Sequence, residues 1–248
     1  MNSLRIILLS WLLVSPLMAE VIEQSVEHAG VKFRVVRVEP ERVELVWKNQ
    51  AGAPYRTFEG VRADYAAAGR SVKFLMNAGI FEPGGIPSGL HLERGKTLHP
   101  LNLADAPGNF FLKPNGVIWI EKQPKKTAFI APSADFAARE QAANVEFEMA
   151  VQSGPLLLIH GQRHPAFREG SANKLHRNGV GVDSANRLVF AITARGEMVN
   201  LWDFAGLFLK LDCRDALFLD GDISQMEVNP KQGVESNLFG AIFVVSAP

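Results

Sequence analysis

Apolar positions along the chain fall into short runs, most of them of strand length. Over residues 31–38 and 43–47 they alternate with charged positions: Val31, Phe33, Val35, then Val43, Leu45, Trp47. A period of two argues half-buried strands, and Glu39-Pro40-Glu41 between the runs argues a short turn. Residues 21–27 are read as an edge strand. Residues 58–68 have helical spacing and three consecutive alanines, with Thr57 as N-cap and Gly69 as stop. Residues 72–76 predict a short buried strand. Hairpins are expected about Arg94-Gly95-Lys96, about Pro114-Asn115-Gly116 (with strands at 109–113 and 117–120), and between 179–183 and 187–193. Residues 133–143 predict a helix capped by Ser133. Residues 148–159 read as strand, break, strand. Residues 198–211 are apolar over most of a helical circumference, so that helix should be buried on several sides. It feeds a strand at 216–219, and a last strand is expected at 240–246. Strands dominate and do not alternate strictly with helices. The fold class is therefore α+β, a mixed, largely antiparallel sheet system with two or three helices, one of them buried.

Several runs end alike, in a polar residue beside glycine. The clearest case is residues 211–226, where an apolar strand runs into Asp220-Gly221-Asp222 with Ser224 following. Polar chemistry at a strand tip sits where the chain leaves the core, and glycine lets a ligand approach the backbone. An ordinary Asp-Gly turn is the competing explanation. The same pattern recurs at Asn77 with Gly79, at Gln152-Ser153-Gly154, and at Arg177 with Gly179, Gly181 and Asp183. Four such segments point to one shared pocket. They supply an arginine fork suited to phosphate or carboxylate and three carboxylates, Asp183, Asp220 and Asp222, able to act as acid, base or nucleophile. They also supply neutral amide and hydroxyl groups suited to a sugar.

Composition narrows the setting. Twenty-six basic residues balance twenty-six acidic ones, so no general attraction to nucleic acid or anionic membrane is expected. Arg5 followed by an apolar run to Met18 and then Ala19-Glu20 reads as a secretory signal peptide over residues 1–19, too short for a comfortable membrane span. Residues 20–248 are then a single domain with no stable membrane insertion, periplasmic or secreted. Cys213 is the only cysteine, which excludes an intramolecular disulfide; a buried structural thiol is its expected role.

The sequence carries no Gly-x-Ser-x-Gly elbow, Walker loop, His-Glu-x-x-His or Cys-x-x-Cys. Its six histidines lack metal-ligand spacing, and only His176, beside Arg177, stands close to candidate chemistry. No cofactor is required by these patterns. A divalent cation held by Asp183, Asp220 and Asp222 is one alternative, and a non-catalytic glycan-binding module of the envelope is another.

The ordered set Asn77-Ala-Gly-Ile-Phe81, Pro87-Ser-Gly-Leu90, Lys113-Pro-Asn-Gly116, Gln152-Ser-Gly-Pro155, Arg177-Asn-Gly-Val-Gly-Val-Asp183 and Leu219-Asp-Gly-Asp-Ile-Ser224 resembles the phosphodiester glycosidase family, in particular its bacterial branch. The resemblance covers roughly residues 55–245. It implies a mixed α/β catalytic domain whose pocket gathers these motifs, adding Ser88, Gly154 and Gly221 to the substrate-binding set. It also implies a glycan or sugar-phosphate substrate. In the eukaryotic branch the last motif resembles Asp-Gly-Gly-Gly-Ser, so Asp222 is a departure that would narrow or recharge the pocket. The expected activity is hydrolysis of a sugar-1-phosphodiester or related glycoside by an exported enzyme. Asp220 would be nucleophile or base, Arg177 the phosphate clamp, Asn77 and Ser153 would orient sugar hydroxyls, and Asp183 or Asp222 would assist water. An Arg177–Asp183 structural ion pair is the competing account of those two residues.

Overall fold

The computed structural model describes residues 20–231 and 235–248; the signal-peptide reading at 1–19 lies outside them. Three large antiparallel sheets, each with one helix on its outer face, share a core, as the α+β class requires, and a two-stranded ribbon pairs Phe81–Glu82 with Ile86–Pro87. The largest sheet has seven strands, in the spatial order Glu23–His28, Val31–Val38, Leu188–Thr193, Asn178–Asp183, Cys213–Phe218, Leu156–Ile159, Gln162–Arg163. A five-stranded sheet runs Thr127–Pro132, Gly116–Glu121, Phe147–Ser153, His91–Glu93, Lys96–His99. A four-stranded sheet runs Met226–Val228, Ser71–Asn77, Ile242–Ala247, Val43–Val46.

The side-chain period explains how these layers assemble. Along Val31–Val38, Val36 and Val38 face the central core with Phe74, Phe190, Phe243, Ile118 and Met149, which come from all three sheets. The odd-numbered Phe33 and Val35 face the opposite way, onto the helix Leu201–Lys210 through Phe204 and Phe208. Both faces of this strand are therefore buried, one more than the half-buried strand that alternation with charge suggests. The helix Phe58–Ala67 covers the four-stranded sheet through Phe58, Val61 and Tyr65. The helix Ser133–Glu140 covers the five-stranded sheet through Phe136, which meets Trp119 and Phe147. Burying one apolar stripe per helix and both faces per sheet is the usual solution for a domain of this size.

Local signals hold at most element ends. The Thr57 hydroxyl accepts the Gly60 N–H, capping the first helix, and Asn200 does the same for Asp203 N in the third. Two expectations are corrected. Asn109–Phe111 is a 3-10 turn rather than a hairpin strand, because Phe110 turns into the core and its carbonyl is taken by Asn115 Nδ2 at 2.9 Å. Ser133 does not cap its helix. It is the first helical residue, and its hydroxyl instead accepts Gln152 Nε2 at 3.0 Å. No helix among the described residues is long and apolar enough to cross a membrane.

Candidate functional site

Three sheets deliver strand tips to one place. The strand Cys213–Phe218 belongs to the seven-stranded sheet and Met226–Val228 to the four-stranded one. Residues 219–225 are thus the crossover between them, and a crossover between sheets is where backbone groups are released from ladder pairing. Asn77 brings the tip of the four-stranded sheet, Ser153 that of the five-stranded sheet, and Arg177 with Asn178 that of the seven-stranded sheet.

Their polar atoms are joined to the crossover one by one. Asn178 Oδ1 accepts the Asp220 N–H at 2.9 Å, and Asn178 Nδ2 donates to Asn77 Oδ1 at 3.1 Å. Asn77 Oδ1 also accepts the Gln225 N–H at 3.0 Å, while Asn77 Nδ2 donates to Ser224 Oγ at 3.3 Å. The Ser153 hydroxyl donates to the Leu219 carbonyl at 2.8 Å and accepts the Ile80 N–H at 3.4 Å. Asn77, Ser153 and Asn178 are all buried. These bonds brace the crossover, so Asn77 and Ser153 hold the loop in place. Gly79 belongs to the same close packing: a Cβ there would stand 2.5 Å from the Gln152 carbonyl oxygen.

Gln152 lies just behind, fully occupied. Its Oε1 accepts Leu90 N and Asn102 N, and its Nε2 donates to Asn102 O and Ser133 Oγ. With all four hydrogen-bonding positions filled, it fastens the 89–102 segment and leaves nothing for a ligand. Gly154 packs on Asn115 and Phe110, and Ser88 Oγ donates to Glu82 Oε1 at 2.8 Å. These three belong to the supporting layer.

Two charged groups, Asp220 and Arg177, stand out by their burial. Asp220 is largely enclosed, and burial pushes its carboxyl up to about 6; the Gly221 N–H, 2.7 Å from Oδ1, opposes the rise and the Asp222 charge adds to it. Arg177 is 1% exposed, the largest fully buried side chain among the described residues. Its Nε donates to Val199 O at 2.8 Å and its Nη2 to Asn173 O at 3.3 Å. Its guanidinium carbon stands 5.5 Å from the Phe218 ring centroid, and Nη1 has no partner. Burial lowers this guanidinium to about 10, with Asp222 acting in the opposite sense. A buried cation without a carboxylate partner is costly, and a group so strongly perturbed marks a candidate functional site. Gly221 leaves open space above the loop. A cavity of about 790 Å³ opens on one flank, lined by His176, Thr193, Asp222, Ser224, Met198 and Met226. A second cavity, about 610 Å³, lies elsewhere between Tyr55, Tyr65 and Glu93 and shares no residue with the site.

Asp183 is not in this site. In register it pairs with Cys213, whereas Gly179 pairs with Phe218, so Asp183 occupies the far end of its strand, about 17 Å from Asn178 at ~3.3 Å per residue. Its carboxylate accepts the Arg187 N–H at 2.9 Å, the Ala185 N–H at 3.1 Å and the Arg187 guanidinium at 2.8 Å, with Arg37 at 3.6 Å. It closes the 183–188 turn, and its partners are Arg187 and Arg37 rather than Arg177. The ligand set Asp183, Asp220, Asp222 therefore does not assemble. Among the described residues no group of three or more His, Cys, Asp or Glu side chains is placed to hold a metal ion.

Comparison with known proteins assigns the family. The profile of the family described as phosphodiester glycosidase matches residues 70–240. The chain belongs to the phosphodiester glycosidase family. Membership places it among glycosidases, hydrolases of the glycosidic bond. The Escherichia coli (strain K12) uncharacterized protein YigE is 33% identical over 197 residues, covering 79% of this chain and 73% of that protein. Among solved structures, the catalytic domain of zebrafish N-acetylglucosamine-1-phosphodiester alpha-N-acetylglucosaminidase, auto-inhibited by its pro-peptide, superposes with a TM-score of 0.64 at 14% identity, over 92% of this chain and 83% of that one. A hypothetical protein from Synechocystis superposes with a TM-score of 0.53 at 12% identity, over 92% of this chain and 62% of that one. At these identities the two structures show the phosphodiester glycosidase fold and no more.

Sequence reasoning missed two members of the site. Asn178 was passed over between the more conspicuous Arg177 and Gly179, although a buried asparagine at a strand end is a natural holder of a neighbouring loop. Thr193 gave no signal at all, being one more β-branched residue at the end of a strand.

Proposed function

We propose that this chain is an exported hydrolase that cleaves a sugar-1-phosphodiester, or a closely related glycoside, in the bacterial envelope. The observation that carries the reading is Arg177, a guanidinium buried to 1% exposure with one Nη unpartnered, beneath the same loop that carries Asp220 and Asp222. An anionic group on the substrate would complete it. A phosphodiester oxygen received by Nη1, the nitrogen of the fork without a partner, does so.

The division of labour follows from the substrate's chemistry. Departure of a phosphate monoester leaves an oxocarbenium-like sugar centre, and the phosphate is already a good leaving group. Strong protonation of the leaving oxygen is therefore less important than stabilising charge on both sides. Arg177 takes the phosphate. Asp220, at about 6, is mostly ionised at neutral pH and acts as nucleophile or base toward the sugar centre, in the range where proton transfer is most effective. Asp222, two residues along the same loop, assists water. Asn77, Asn178 and Ser153 hold the loop in register, which is what positions the carboxylates.

The decisive experiment incubates the purified chain with a panel of sugar-1-phosphodiesters and measures free sugar. Turnover that falls by about two orders of magnitude or more in Asp220→Asn, on the scale of acid–base catalysis, supports the reading. Binding with no turnover across the panel points instead to a glycan-binding module.

A further inference from the structure

We infer that His176 is the positioning residue that ties the seat of Arg177 to the loop carrying Asp220 and Asp222, and that it does so as the neutral ring protonated on Nε2. The inference rests on the reading of Arg177 and the loop as the reactive site.

The tautomer follows from the partners. His176 Nε2 lies 3.1 Å from the Ser224 carbonyl oxygen. A carbonyl can only accept, so Nε2 carries the proton. His176 Nδ1 lies 2.6 Å from Thr193 Oγ1, and Thr193 Oγ1 accepts the backbone N–H of Arg177 at 3.1 Å. The hydroxyl keeps its one hydrogen to donate to Nδ1, which in the neutral Nε2–H ring is an acceptor. Every atom is then satisfied along one line: Arg177 N–H to Thr193 Oγ1, Thr193 O–H to Nδ1, Nε2–H to Ser224 O. The other neutral tautomer would leave two acceptors facing each other at Ser224.

The placement gives this chain of bonds its consequence. Thr193 and Arg177 sit on the paired strand ends Leu188–Thr193 and Asn178–Asp183, where Thr193 N also donates to Arg177 O at 3.0 Å. Ser224 belongs to the crossover, and its N–H closes a turn on Gly221 O at 2.9 Å. His176 is thus a side-chain bridge from the arginine's strand to the far side of the Asp220–Ser224 turn, opposite the bridge made by Asn178. Two holders on the two ends of a five-residue turn fix the direction of the carboxylates between them.

Two substitutions divide the ring's functions. The terminal amide nitrogen of His176→Gln occupies the place of Nε2 and can still donate to Ser224 O. His176→Asn places its amide oxygen near Nδ1, keeping an acceptor for Thr193 but failing to reach Ser224. Long-range proton–nitrogen correlation on histidine-labelled protein at neutral pH should show His176 protonated on Nε2 alone; an Nδ1–H ring or an imidazolium overturns the inference. Amide exchange over residues 220–226 should be accelerated about tenfold in His176→Asn, the scale of one net hydrogen bond, and remain near the parent in His176→Gln. Equal behaviour of the two variants overturns it. On any phosphodiester the parent cleaves, kcat should fall by up to about 100-fold in His176→Asn and be largely restored in His176→Gln. If the parent cleaves no phosphodiester, the proposed reaction fails, while the tautomer and exchange measurements still decide the role of His176.

Discussion

The side-chain oxygen of Asn178 holds the backbone N–H of Asp220 at 2.9 Å, and this bond fixes where the strand Cys213–Phe218 ends and the reactive loop begins. Because Asn178 is wholly buried and also donates to Asn77 O and Oδ1, it joins two sheets as well as a loop. Asn178→Ala should cost about 2–3 kcal/mol, the range for buried groups left without partners. Urea unfolding of parent and variant checks it, and a change below ~0.5 kcal/mol would show that the bond does not carry this load.

Asp220 should make the protein less stable at neutral pH than it would be with a neutral side chain. Burial raises its carboxyl from 3.8 to about 6, so the folded state holds the proton more tightly than the unfolded chain. The contribution of this group is full below pH ~4 and is lost as pH rises through ~6. Asp220→Asn is therefore expected to be more stable than the parent at pH 8 by up to about 3 kcal/mol, with the gap closing toward pH 4. Melting curves across this range test the sign directly: a variant less stable at pH 8 contradicts it.

Arg177 should report anion binding without any turnover. Inorganic phosphate that completes the buried guanidinium stabilises the folded state by about 2.7 kcal/mol at a hundred times its Kd, enough to raise Tm by several degrees in a chain of this size. Arg177→Lys keeps the charge and loses the fork, so the phosphate-dependent rise should shrink or vanish. A rise of the same size in the variant would place the anion elsewhere.

Asp183 should matter for stability and not for the reaction. Its buried carboxylate accepts two backbone N–H groups and the Arg187 guanidinium, at the end of the strand remote from Asp220. Asp183→Asn is expected to cost about 2 kcal/mol, while kcat on a cleaved phosphodiester stays within about threefold of the parent, since no group touching the substrate is altered. Denaturation and steady-state kinetics on the same preparation separate the two effects.

Cys213 should be inert in the folded protein. It is buried, and burial, reinforced by Asp183, pushes its thiol up to about 12. Thiolate is the reacting form. Alkylation by iodoacetamide at pH 8 is therefore expected to follow global unfolding, and rapid labelling under native conditions would refute this.

The sequence by itself determined the elements, the fold class and the family. Alternation in 31–38, the capped helix read at 58–68, the apolar helix read at 198–211 and the glycine-marked strand tips are local signals, written in side-chain period and turn chemistry. The candidates Asp220, Asp222 and Arg177 stood out there too, because each lies where an apolar run stops or begins. Only the tertiary structure decided which tips meet. A carboxylate or an amide looks the same in sequence whether it faces a ligand or a neighbouring backbone group. Antiparallel pairing sends Asp183 to the opposite end of the strand that begins beside Arg177; Asn77 and Ser153 turn inward onto the crossover between sheets, and Gln152 onto the 89–102 segment, to satisfy buried N–H and carbonyl groups. Those outcomes depend on pairing partners distant in the chain, as in the 101 residues that separate Asn77 from Asn178. Polar atoms removed from water must find partners wherever the fold brings them, and no local pattern records where that will be.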